Sequence, residues 1–198
     1  MRTLTVPLLA AALLVGASSA HAEMKVVTRA GAWSAAAGTA GDTGKPMCMM
    51  MNTSDIRSFN IKWMMGSNLF FHISKDNWNV PVGVEMPLAI RFDQETPFKV
   101  TAKGNANYPR WIEFKIGDAA DARHFLDQFR TAAKVSISFP GGSEREWVLS
   151  MDGSDTIARK FTECVAALKR KYGGSVTQPF GSQQPFTDKS PSKDDDRI

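Results

Sequence analysis

The stretch KPMCMMM, residues 45–51, sets one thiol among four thioether sulfurs. Cysteine and methionine sulfurs are the donors that select cuprous copper, so Cys48 and its neighbours have the composition of a Cu(I) site. Against that, no histidine lies nearby, and methionine is a common filler of irregular apolar cores. Packing accounts for the run, and neither a metal nor another cofactor is expected. Oxidation is the second chemistry open to Cys48. Cys164 is the only other cysteine, and an even count in a chain with an export signal favours a Cys48–Cys164 disulfide. Two separate buried thiols are the alternative.

Beyond the N-terminal 22 residues the histidines are His72 and His124. His72 alternates with apolar residues, and His124 sits beside Phe125 among charged neighbours, positions that suit structural or solvated imidazoles. The segments around Ser67 and Ser143 lack the G-x-S-x-G elbow, and no H-E-x-x-H, P-loop or dinucleotide-binding fingerprint occurs. Asp93 with Glu95, and Glu144 with Glu146, read as exposed carboxylates beside turns. A periplasmic hydrolase using carboxylates or a Ser-His pair is therefore the alternative reading, and a non-enzymatic binding or accessory protein the leading one. Proton-transfer chemistry needs groups within hydrogen-bond reach of one another, so spatial convergence separates the two.

Two polar-aromatic loops are the candidates for contact. SKDNWNVPVG offers Trp78 among Asp76, Asn77 and Asn79, and KGNANYPRW gathers Asn105, Asn107, Tyr108 and Arg110. Aromatic faces with amide and guanidinium groups can stack on and hydrogen-bond a sugar or an extended peptide. Trp78, Asn105, Tyr108 and Arg110 are the expected ligand-binding set. The competing reading has the aromatics plugging the loops inward while the asparagines only make turns.

The elements that must carry these residues are mostly strands. In VEMPLAIRFD, Val84, Met86, Leu88, Ile90 and Phe92 alternate with more polar positions, the period of a half-buried strand. Pro87 falls on the polar face and indicates an edge or a bulge. The same period appears at 59–63, 69–73, 98–102, 112–116, 135–139 and 147–149, with breakers between. This predicts a mainly β domain, an antiparallel sandwich or barrel-like sheet, with α+β as the alternative. If strands near 47–52, 56–63, 69–74, 84–92, 98–103 and 110–116 form an up-and-down meander, the Trp78 and Tyr108 loops emerge at the same end. Two amphipathic helices complete the domain. One is capped by Asp118 and buries Ala122, Phe125, Leu126, Phe129 and Ala133. The other is capped by Ser154, carries Ile157, Phe161, Cys164, Val165 and Leu168, and ends at Gly173.

Organisation follows from the two ends of the chain. Arg2, an apolar run from Val6 to Val15 and the sequence Ala20-His21-Ala22 predict a signal peptide over 1–22. That run is too short to span a bilayer. Residues 23–172 suit a single β-rich domain, and 173–198, rich in Gly, Ser, Gln, Pro and Asp, are expected to be disordered. Within that tail Gln-Pro-Phe recurs at 178–180 and 184–186. The chain carries a formal net charge of +4. Arg2 contributes one positive charge and the tail one net negative charge, so residues 23–172 keep +4. The basic residues are scattered, which excludes nucleic acid as the expected partner. Export to the periplasm or beyond the cell, with an envelope protein, glycan or host-surface partner, is the expectation.

The order of these features, with Trp33 early, WNVPVGVEMPLAIRFD in the middle and WVLSMDGSDTIARKFTEC near the end, resembles small exported alphaproteobacterial proteins including the invasion-associated locus B family. The resemblance covers most of residues 31–168. It implies a β-rich domain with a P-x-G turn before a strand ending in Asp, and a Gly-Ser or Gly-Phe step into a final helix. The chain departs from that pattern in having one cysteine near its early strands rather than several.

Overall fold

The computed structural model describes residues 24–172 apart from 42, 55 and 66–68. The signal peptide and the tail expected from sequence lie outside the described residues. Ten strands are present: β1 (Met24–Ala30), β2 (Trp33–Thr39), β3 (Pro46–Thr53), β4 (Arg57–Met64), β5 (Leu69–Lys75), β6 (Glu85–Phe92), β7 (Phe98–Gly104), β8 (Trp111–Ile116), β9 (Lys134–Ser138) and β10 (Trp147–Ser150). With helices α1 (Ala119–Thr131) and α2 (Ser154–Tyr172) they form the mainly β domain expected. The strands make one antiparallel sheet in the order β1-β2-β3-β4-β5-β8-β7-β6-β9-β10.

Period-two alternation decides which side chains enter the core. Phe59, Ile61 and Trp63 on β4, Leu69, Phe71 and Ile73 on β5, and Ile112, Phe114 and Ile116 on β8 are all buried. The α1 residue Phe125 places its ring 4.9 Å from Phe71 on β5, 5.0 Å from Phe92 on β6 and 5.4 Å from Phe98 on β7. β5 and β6 are three places apart in the sheet, about 14 Å if it were flat at ~4.8 Å per strand. One ring can reach both only because the sheet curls around α1. Phe129 meets Trp33 of β2 at 4.7 Å, edge to face, so the helix touches both halves of the curl.

Methionine packing and oxidation together answer the question raised by residues 45–51. Cys48 and Met50 point into the core with no exposed surface, Met47 is also buried, and Met49 and Met51 are half-buried on the other face. Cys48 is bonded to Cys164, with Cα atoms 6.1 Å apart, which ties β3 to α2 and leaves no thiolate for copper.

Several boundaries differ from expectation for identifiable reasons. β2 was not legible as a strand, because WSAAAGT has small residues where alternation would show, nor was β1, because MKVVTRA breaks the period at its irregularity between Val26 and Thr28. α1 starts as expected, the Asp118 carboxylate accepting N–H bonds from Ala120 and Asp121. It stops at Thr131, so Ala133 lies outside it and is exposed. The Asp93 carboxylate takes the N–H groups of Ala133 and Lys134, both at 3.0 Å, and turns the chain into β9. Ser154 is the first residue of α2 rather than a residue outside it, and it is Gly153 whose carbonyl accepts from the Ile157 N–H.

The meander is also interrupted. β3, β4 and β5 follow it, but β5 pairs with β8, not β6. The connection 76–84 crosses the end of the sheet, over the β7–β8 connection. Lys75 N–H donates to the Arg110 carbonyl, Val80 N–H to Pro109 and Gly83 N–H to Gly104. Gly104 is required there, since a Cβ would collide with the Pro81 carbonyl.

Candidate functional site

The crossing connection places the Trp78 and Tyr108 loops at one end of the sheet, yet it sends their side chains to opposite faces. β8 alternates so that Ile112 faces the core while Trp111 faces out. Tyr108, 51% exposed, stacks on Trp111 with ring centres 4.5 Å apart, on that outer face. Arg110 is exposed, 3.9 Å from Asp76. Asn105 is occupied by its own loop: its side-chain oxygen accepts from the N–H groups of Asn107 and Tyr108, and its amide donates to Glu113 at 2.6 Å. Trp78 instead turns inward, stacked 5.4 Å from Trp147 and edge-on to Phe139 at 5.7 Å. The four expected residues therefore share an end of the molecule but do not share a surface.

Around Trp78 the structure builds a cleft that the sequence did not reveal as a unit. One wall is the loop Asn77-Trp78-Asn79-Val80, the opposite wall is Phe139, Pro140 and Gly142 to Glu144, and the side is Met86 and Pro87 of β6. Its volume is ≈ 260 Å³. The cause is a divergence of strands. β6 and β9 pair from Phe92 with Val135 to Ala89 with Ser138, and then the chain leaves β6 at Phe139. Val84 accepts from Gly104 N–H, so by the alternation of an antiparallel ladder Glu85 and Pro87 direct their backbone groups away from β7. That edge faces the gap. Pro87, which signalled an edge from sequence, lies where no ladder bond would use the N–H it lacks.

Glu144 holds the far wall in place. Its carboxylate accepts four hydrogen bonds, from Lys75 Nζ at 3.1 and 2.9 Å, Trp78 Nε1 at 3.1 Å and Trp147 Nε1 at 2.8 Å. Arg57 stands 3.9 Å away, its guanidinium 5.0 Å over the Trp147 ring. Burial pushes the carboxyl upward, but the bonds from Trp147, Lys75 and Trp78 outweigh it and hold it below the usual carboxylate range. An ionised carboxylate has about four lone-pair sites, and all are used. Glu144 is thus not the exposed acid expected from sequence; it is an ionised anchor that ties the 139–144 loop to Trp78, Trp147 and Lys75.

The histidines were the other candidates. His72 Nδ1 lies 2.8 Å from Lys62 Nζ, and its Nε2 lies 3.3 Å from Glu113 without the alignment of a hydrogen bond. Burial, reinforced by the Lys62 charge, lowers its pKa from 6.5 to about 3, so the ring is neutral. Ser58 and Ser74 hydroxyls bond each other at 2.6 Å. His124 lines a separate hollow with Glu95 and Asp127, and no serine lines it. Among the described residues no grouping of three or more His, Cys, Asp or Glu side chains could hold a metal ion, and no helix is long and apolar enough to cross a membrane.

Fold and site together define a curled antiparallel sheet with an apolar cleft at one end. Among solved structures the chain is similar to that of invasion associated protein B from Bartonella henselae, at 12% identity and a TM-score of 0.48, over 72% of this chain and 97% of that one. No protein-family model matches the chain, and no curated protein matches it in sequence.

Proposed function

We propose that this chain is a non-enzymatic exported binding protein, periplasmic or secreted, that takes an extended peptide of an envelope or host-surface partner into the cleft beside Trp78. The observation that carries the reading is the departure of β9 from β6, which opens an apolar slot alongside unpaired strand edge. Extended peptides use such edges for main-chain hydrogen bonds and adjoining pockets for side-chain selection. Trp78, Val80, Met86 and Phe139 supply the apolar lining, with Asn77, Asn79 and Ser143 at the rim. Val82 and Val84, 66% and 40% exposed, follow Val80 in the same connection. The Cys48–Cys164 bond fits a chain that folds in an oxidising compartment.

In this reading Trp78 is the contact residue of the original four, Asn105 shapes its loop, and Tyr108 with Arg110 lie outside the slot. Screening a library of extended peptides and soluble glycans against the protein, with tryptophan fluorescence as readout, tests it. Peptide binding that is lost in Ser143→Arg, which blocks the rim, is the expected result. Glycan binding untouched by Ser143→Arg and abolished by Tyr108→Ala would move the site to the outer face.

A further inference from the structure

The chain continues for 26 residues beyond Tyr172 and there carries Gln-Pro-Phe twice, at 178–180 and 184–186. We infer that the resident occupant of the cleft is this C-terminal segment of the same chain, one Gln-Pro-Phe unit lying against Trp78. The inference rests on the peptide-binding reading above and adds the identity of the competitor that a partner must displace.

Chemistry and length both support it. A proline fixes its own φ and favours the extended conformation of peptides that dock in aromatic-lined grooves. The cleft offers Trp78 and Phe139 at 84° to one another, a right-angled aromatic corner, beside Met86 and Pro87. A Pro-Phe pair supplies two compact apolar faces to such a corner, and the preceding glutamine amide suits the rim amides of Asn77 and Asn79. β6 lacks a donor at Pro87 but keeps the Glu85 backbone groups and the Pro87 carbonyl toward the gap, so its edge offers a partial ladder. A proline-punctuated segment does not require a full one.

The path is long enough. The last turn of α2 lies by Trp63, whose ring is 5.8 Å from Lys169 Nζ. Arg57, at the other end of the same strand, reaches Glu144 of the cleft wall. Six residues of strand separate Trp63 from Arg57, about 20 Å. Phe180 is eight residues and Phe186 fourteen residues past Tyr172, reaches of roughly 26 and 46 Å at full extension. That strand length is a lower bound on the route from Tyr172 to the cleft, exceeded by about 6 Å in the reach of the first unit and by about 26 Å in that of the second. A tether of this kind holds its ligand at roughly millimolar effective concentration, so even a weak contact is populated and lowers the apparent affinity for a competing peptide.

The test uses the full mature chain with ¹⁵N-labelled indoles, the Trp78 resonance being assigned through Trp78→Phe. It compares the native sequence with a P179A/F180A/P185A/F186A variant. The expected result is a shift of the Trp78 indole signal with that of Trp111 unmoved, the same shift after tenfold dilution, and roughly two- to tenfold tighter binding of a synthetic peptide spanning residues 176–188 by the variant. A shift that fades on dilution would assign the tail to a second copy and overturn the intramolecular contact. An unmoved Trp78 signal, with library peptides still binding both proteins alike, sinks the tail inference alone. If no peptide of any sequence moves Trp78, the cleft reading falls with it.

Discussion

Two ionisable residues that read as ordinary in the sequence both weaken the fold on acidification, in separable pH windows. His72 titrates at about 3 in the fold against 6.5 in the unfolded chain, so the unfolded state binds the extra proton first. Stability therefore falls as pH drops from about 6.5 toward 3. His72→Gln should flatten that limb in urea titrations at pH 7 and pH 5, and an unchanged slope would show the ring to be solvated. Glu144 has its folded pKa depressed, so its contribution is present above the ordinary carboxylate range and is lost only as pH falls through the lower folded value. Glu144→Ala leaves Lys75 and two indole N–H groups without their acceptor and should cost about 2–3 kcal/mol at pH 7. A cost below about 0.5 kcal/mol, typical of exposed positions, would contradict the anchor role.

Elements are held to one another at a few joints that tolerate little change. Gly153 and Gly31, with φ of +82° and +53°, bring the β10–α2 and β1–β2 turns into backbone contact, where a Cβ on either would collide with the Ala30 or Asp152 carbonyl. Gly153→Ala should lower the unfolding midpoint sharply, while Gly141→Ala, with open space around it, pays only for its own positive φ. Equal losses at both would place the contact elsewhere. The Cys48–Cys164 bond spans 116 residues, so Cys48→Ser with Cys164→Ser should cost about 4–5 kcal/mol in the chain-entropy description. The strands were legible wherever large apolar residues alternate, as at Phe59, Ile61 and Trp63, and illegible where Ala35, Ala36 and Ala37 blur the period. Half of the cleft was legible, through the aromatic and asparagines of the 76–80 loop. The other half was not, because Glu144 acquires its role from Trp78 and Lys75, 66 and 69 residues away in sequence, and local spacing holds no trace of that pairing.

The whole molecule is a sheet curled around α1 and latched by α2, and its loop end is organised by one connection that crosses over another. The core residues described lie within 24–172, and the tail is proposed to add only a surface contact of ~0.5 kcal/mol, so deleting 173–198 should move the thermal midpoint by no more than about 2 °C. A large loss would make the tail part of the core rather than a reversible occupant of the cleft. The slot between β6 and the 139–144 loop is proposed as the place where a peptide partner binds. Isothermal titration of a library-selected peptide into the native protein, Ser143→Arg and Tyr108→Ala, with unfolding midpoints matched, tests it most directly. Ser143→Arg should lose at least tenfold in affinity and Tyr108→Ala nothing. Unchanged affinity in Ser143→Arg, or a loss confined to Tyr108→Ala, would contradict it.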